Sequence, residues 1–271
     1  MISNIEQPAK IITNRANQLV KQLIELRHNE KPPFLPHEYF PLLGIKGLQK
    51  SDLGTVSGLL LRLNGGSTIV VNQEDSLLRQ NFSCAHELSH ILFDELKLQE
   101  YIPKIEFRNT FSSQPESLAN ARMKERLCDI AAAELLMPTE IFGQYLLRMG
   151  VSIDSVAPLA GVFQVSNSAA AIRVAEVSPE PCIAFIWKLW VKRKTRVLSL
   201  SRSRNKSFCE PVNAEAEVGS SLFNAFEHNV TTKCYKNFKF NDKSIKRCYT
   251  ESKGFGYGKT RHVVSLVFPG R

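Results

Sequence analysis

The apolar positions of the chain change their spacing along its length, and this spacing predicts where helices and strands lie. Near the start, apolar side chains recur at the three- and four-residue steps of an amphipathic helix, which we place at residues 8–26. Two short apolar runs follow at residues 59–64 and 67–72, and the Gly65-Gly66 pair between them predicts a β-hairpin. A longer helical stripe lies between Ser76 and Lys97, where no glycine or proline interrupts the chain.

Helical spacing continues in the middle of the chain and gives way to strand spacing after residue 180. Further helices are predicted at residues 124–137, 138–148, 152–160 and 166–176. Ser152 and Ser166 are the N-cap candidates for the helices at residues 152–160 and 166–176. Gly161 is expected to end the helix at residues 152–160. Strands are predicted at residues 182–190, 196–200, 231–240 and 262–268.

The longest uninterrupted helix carries the sequence His86-Glu87-Leu88-Ser89-His90. Residues four apart share one face of a helix, so His86 and His90 can bind one metal ion together. Glu87 lies next to that face and is the candidate general base. The alternative is a half-buried helix that carries two histidines without a shared role.

A third metal ligand is offered by the helix that ends before Pro138. Its residues Glu125 and Asp129 are again four apart and point the same way. Two histidines with one glutamate leave zinc an open position, as a catalytic site requires. Asp129 could then accept a hydrogen bond from the far nitrogen of a ligand histidine and fix its tautomer. The alternative is an ordinary solvated helix face, and two helices with metal-compatible pairs favour the metal site.

These two motifs together resemble the ImmA/IrrE family of metallo-endopeptidases. The resemblance rests on the His-Glu-x-x-His motif followed by a Glu-x-x-Cys-Asp-x-Ala-Ala-x-Glu-Leu-Leu-Met-Pro segment that begins at Glu125, and it covers roughly residues 59–177. It implies a gluzincin-like zinc peptidase with His86, His90 and Glu125 as ligands and Glu87 as the catalytic base. It also implies a substrate class: helix-turn-helix transcriptional repressors, cleaved to release stress or mobile-element genes. Another divalent metal, such as manganese, stays an open alternative.

The expected fold class is therefore α+β, with three parts. Residues 1–137 are predicted to form the peptidase core, and residues 138–179 a helix-turn-helix-like segment. Residues 180–271 are predicted to form a basic, β-rich or α+β domain, and the resemblance allows a sensory role for it. The second helix of the helix-turn-helix-like segment has Arg173 as its only basic residue, whereas a DNA reader needs several polar or basic side chains there. We interpret this segment as structural or protein-docking.

Composition excludes some classes of protein. The chain has 271 residues, of which 43% are hydrophobic, as in an ordinary globular protein with room for two domains. It has no apolar run of about 18 residues and no signal-peptide pattern at its start, so we expect a cytoplasmic protein that does not span a membrane. Six cysteines without paired or metal-type spacing are expected to be reduced and structural.

The net charge of +9 is concentrated in the last third of the chain. Residues 180–271 hold 18 Lys and Arg against 7 Asp and Glu, whereas the remainder is close to neutral. A basic domain suggests a polyanion or an acidic partner, so nucleic acid is a candidate partner for this region. Two alternatives to the peptidase therefore stay open: a DNA-binding regulator with a structural metal site, and a pseudo-enzyme that acts as a partner module.

Overall fold

The computed structural model describes residues 5–63, 66–101, 115–192, 195–204, 215–240 and 243–271. These ranges combine helices with two β-sheets, which confirms the predicted α+β class. The chain divides into two compact units, Met1–Pro138 with Phe163–Val165 and Thr139–Val162 with Ser166–Arg271. The three-part division at residues 137 and 179 stays a prediction. Within the described ranges, no helix has both the length and the apolar character that a bilayer crossing needs.

The first unit contains a three-stranded sheet. Its strands β1 (Ile45–Ser51), β2 (Gly58–Leu63) and β3 (Gly66–Asn72) lie in the order β1-β3-β2. β1 runs parallel to β3, and β2 runs antiparallel to it, as the hairpin prediction requires. Gly65 of the predicted loop lies outside the described residues. Gly66 has a φ of 133°, a conformation that glycine adopts far more readily than other residues.

Helices cover this sheet and each other. They are α1 (Glu6–Arg27), the short α2 (Phe40–Leu43), α3 (Leu77–Glu95) and α4 (Pro115–Leu136). α3 packs against β2, β3 and α4, and α1 packs against α4. The predicted helices at residues 8–26 and within 76–97 are confirmed, and residues 124–136 form the C-terminal part of α4.

The second unit contains a six-stranded sheet in which every described pairing is antiparallel. Its strands, in the spatial order β6-β5-β4-β9-β8-β7, are β4 (Ile183–Lys192), β5 (Thr195–Arg204), β6 (Glu215–Glu217), β7 (Thr231–Phe240), β8 (Lys243–Phe255) and β9 (His262–Phe268). Its helices are α5 (Thr139–Met149), most of α6 (Ile153–Phe163), α7 (Asn167–Val177) and α8 (Ser221–His228). The core of this unit includes Phe185 and Trp187 of β4 with Phe223 and Phe226 of α8.

In the helix pair α6 and α7, the predicted N-cap of α7 is present, but α6 does not end where the sequence predicted. The Ser166 hydroxyl accepts a hydrogen bond from the Ala169 backbone N–H and caps α7, as predicted. The prediction that Gly161 ends the preceding helix is wrong, because α6 continues to Phe163. The left-handed residue that follows this helix is Gln164, with a φ of 55°.

Candidate metal centre

Two histidines of α3 form the first half of the centre. The rings of His86 and His90 lie one helical turn apart, with their centroids separated by 4.9 Å. The other side of α3 is anchored by Leu88 and Leu92, which are fully buried. Because that side is fixed in the core, both imidazoles project from the opposite side of the helix.

α4 supplies the carboxylate that completes the group. Glu125 Oε2 lies 3.0 Å from His86 Nε2, and Glu125 Oε1 lies 3.8 Å from His90 Nε2. One donor atom from each of these three residues lies within 4.8 Å of the other two. Two imidazole nitrogens and one carboxylate oxygen are a donor set that suits zinc, so these residues fit the metal that the sequence predicted.

The far nitrogens of the two histidines contact other residues of α4. His86 Nδ1 lies 3.0 Å from Asp129 Oδ1, the contact that the sequence predicted for Asp129. When Nδ1–H donates to this carboxylate, the lone pair of the ring is on Nε2, towards Glu125. His90 Nδ1 lies 3.4 Å from Cys128 Sγ. No pattern along the chain predicts this contact, because cysteine is also a common small core residue.

The surrounding charges shift the pKa values of the group. Burial lowers the pKa of His86, but the hydrogen bond and charge of Asp129, together with Glu125, raise it above its ordinary value. Burial and the neighbouring His86 lower the pKa of His90. His86 therefore lies between two carboxylates, in surroundings that favour a positive charge, whether a proton or a bound cation.

Glu87 lies outside the convergent group, on the side of α3 that faces β2. A Cβ atom added to Gly58 of β2 would lie 3.2 Å from both Cγ and Oε1 of Glu87. Burial raises the pKa of the Glu87 carboxyl, and the positive charge of His86 opposes this effect. A carboxylate with a raised pKa, beside the candidate metal ligands but not among them, suits a general base.

The chain is similar in sequence to known metalloproteases. The model of the IrrE N-terminal-like domain matches residues 45–175. The radiation response metalloprotease IrrE of Deinococcus deserti is 30% identical over 115 residues, which are 42% of this chain and 38% of the relative. Its counterpart in Deinococcus radiodurans is 30% identical over 119 residues, which are 43% of this chain and 33% of the relative. The matched segment thus spans little more than a third of these relatives.

A solved structure shares the fold over nearly the whole chain. A Mycobacterium tuberculosis transcriptional regulator superposes with a TM-score of 0.59 at 13% identity, covering 98% of this chain and 80% of its own. At that identity the likeness concerns the fold alone. The segment that the family model matches contains both the His86–His90 motif and the Glu125–Pro138 motif. Residues 45–175 therefore form a domain of the ImmA/IrrE family.

Proposed function

We propose that this protein is a cytoplasmic, zinc-dependent endopeptidase in which His86, His90 and Glu125 bind the metal and Glu87 is the general base. The observation that carries the proposal is the convergence of three donor atoms within 4.8 Å on two packed helices. The gluzincin-like character of the core belongs to the same proposal. A zinc ion held by these residues would act as a Lewis acid on the scissile carbonyl and would make a bound water more acidic.

The side chains of Glu87 and Asp129 would have separate roles in the reaction. Glu87 accepts the proton of the attacking water on its carboxylate and delivers it to the leaving nitrogen. Its burial supports this role, since a raised pKa brings a carboxylate closer to the operating pH. Asp129 orients the His86 ring through Nδ1, which leaves Nε2 free to bind the metal.

We further propose that the substrate is a helix-turn-helix repressor, as the family resemblance implies. One observation in the second unit supports a protein-docking role, rather than DNA readout, for α6 and α7. Arg173, the only basic residue of α7, is 7% exposed, and its guanidinium donates to the Thr139 hydroxyl over 2.9 Å. A buried arginine that is held in this way is not presented to a DNA groove.

Co-expression with helix-turn-helix repressors encoded nearby tests this substrate. We expect one or a few discrete cuts in a repressor, with the Glu87→Gln variant as an inactive control. Casein should be degraded far more slowly, because a docking enzyme selects its substrate before cutting it. Equal degradation of casein, with no preference for any repressor, would refute the regulatory role and leave only a general peptidase.

A DNA-binding regulator is the second candidate, favoured by the excess of 18 Lys and Arg over 7 Asp and Glu in residues 180–271. In that case, nucleic-acid binding should persist in Glu87→Gln and fall steeply as salt is raised. A specific footprint by the full-length protein, together with no proteolysis of any repressor, would favour this candidate.

A further inference from the structure

The strand β2 presents a row of backbone groups that its own sheet does not use. In the order β1-β3-β2, β2 is an edge strand of the described sheet. The Asn72 N–H donates to the Ser57 carbonyl over 3.0 Å, and the register of the two strands continues from this pair. Bonded and non-bonded pairs alternate in an antiparallel ladder. The N–H and C=O groups of Gly58 and Leu60 therefore point away from β3.

Gly58 leaves the space that the Glu87 side chain occupies. A Cβ atom at this position would lie 3.2 Å from Cγ and from Oε1 of Glu87, and 3.4 Å from Cβ of Ser83. The first two distances are shorter than most contacts that real Cβ atoms make. Any side chain at position 58 would therefore press on the carboxylate arm of Glu87.

Leu60 supplies a donor close by, two residues further along the same strand edge. Its outward backbone N–H interacts with the Glu87 carboxylate and lowers the pKa of that group, which opposes the larger effect of burial. Glu87 thus contacts β2 at two residues: Gly58 leaves space for its side chain, and the Leu60 N–H donates a hydrogen bond to its carboxylate.

We propose that β2 positions the catalytic base: Gly58 leaves room for the Glu87 side chain, and the backbone amide of Leu60 orients its carboxylate. This inference rests on the proposed function, in which Glu87 moves the proton. A glutamate side chain has several rotatable bonds, and a general base is effective only within hydrogen-bond reach of its proton. A small displacement of a general base lowers the reaction rate by a large factor. Contacts with β2 that hold Glu87 in place would therefore keep the rate high.

The first test replaces Gly58 by alanine. The atoms that the new methyl group meets belong to a flexible side chain, so the sheet should fold while Glu87 shifts by a few tenths of an ångström. We expect kcat for cleavage of the repressor to fall about tenfold, with KM and the zinc content unchanged. Gly47→Ala is the matched control, because a Cβ atom at Gly47 of β1 meets nothing within 4 Å. Crystal structures of both variants should show the displaced carboxylate in Gly58→Ala only.

The second test removes the amide hydrogen with Leu60→Pro. Proline is tolerated on edge strands where the N–H points outward, so the pairing with β3 should survive. Leu60→Ala shortens the same side chain but keeps the N–H, and it measures the side-chain part of any effect. We expect kcat of Leu60→Pro to lie about tenfold below that of Leu60→Ala, with similar KM values and zinc contents.

The outcomes separate this inference from the proposed function. If the wild-type protein cuts and Glu87→Gln does not, but Gly58→Ala and Leu60→Pro match their comparison variants in kcat, the positioning role is refuted alone. A change in KM only would also refute it, because the strand would then contact substrate rather than the base. If the wild-type protein shows no metal-dependent cutting, or Glu87→Gln still cuts, the proposed function fails and this inference fails with it.

Discussion

The two nitrogens of each histidine ring in the centre have different neighbours. The Nε2 atoms face Glu125, whereas Nδ1 of His86 faces the charged Asp129 and Nδ1 of His90 faces the thiol of Cys128. Burial raises the pKa of Cys128, so its sulfur is a neutral and weak acceptor at ordinary pH. Hydrogen bonds to a charged acceptor are about twice as strong as neutral ones. The hydrogen bond that orients the His86 ring is therefore stronger than the one that orients the His90 ring.

This difference predicts the order of two substitutions. Asp129→Ala should weaken zinc binding by about 10- to 100-fold with residual activity, because His86 loses the group that fixes its tautomer. Cys128→Ala should weaken it less, since only a neutral contact is removed. Competition with a chromogenic chelator measures both affinities. Complete zinc loss in Asp129→Ala, with full retention in Glu125→Ala, would mean that the roles of the two carboxylates are reversed.

The sequence could predict some of these residues and not others, for a physical reason. Helical periodicity alone places His86 beside His90 and Glu125 beside Asp129, because a turn of helix fixes residues four apart on one face. The approach of Cys128 to His90 and of Gly58 to Glu87 depends on how α4 and β2 pack on α3. A pattern along the chain holds no such information, so neither contact could be predicted.

The longest strand that the sequence did not predict, β8, has polar residues that interrupt the periodic signal. β8 contains Glu251 and Ser252, both almost fully buried, where an apolar residue would mark a core strand. The sheet accommodates them through hydrogen bonds: the Ser252 and Ser265 hydroxyls lie 2.7 Å apart, and Trp187 Nε1–H donates to Ser265 over 2.9 Å. β1, α2, β6 and α8 were also missed, and of these α2 and β6 are too short to show a period. Each helix and strand that the sequence predicted overlaps an element of the same type.

Glu251 also links β8 to α6. Its Oε2 accepts from the Ser152 hydroxyl over 2.9 Å and from the Ile153 N–H over 2.8 Å, at the first turn of that helix. Glu251 is 3% exposed, so its removal would leave buried donors without a partner. The carboxylate thereby extends the capping role that the sequence assigned to Ser152.

Glu251→Ala should lower the free energy of unfolding of the second unit by about 1–3 kcal/mol. Urea unfolding followed by tryptophan fluorescence measures this unit, because both tryptophans of the chain, Trp187 and Trp190, lie in β4. The exposed Glu140→Ala is the control and should change stability by less than about 0.5 kcal/mol. An equal and small effect in both variants would show that the link does not stabilise the unit.

At the scale of the whole molecule, the chain combines a nearly neutral peptidase-like unit with a strongly basic region. The family match ends at residue 175, so the family domain does not account for the sheet that carries the excess of positive charge. Net charge bears on partners and association rather than on fold. We therefore propose cleavage as the role of the first unit, and recognition of an acidic partner as the role of residues 180–271.

The separate roles of the metal ligands and the general base are tested most directly by zinc content and repressor cleavage in four proteins: wild type, Glu87→Gln, His90→Ala and Glu125→Ala. We expect about one zinc per chain in the wild type and in Glu87→Gln, with cleavage in the wild type alone. His90→Ala and Glu125→Ala should lose both the metal and the activity. Loss of zinc from Glu87→Gln, or cleavage that persists in it, would contradict the separation of ligands from base on which the account depends.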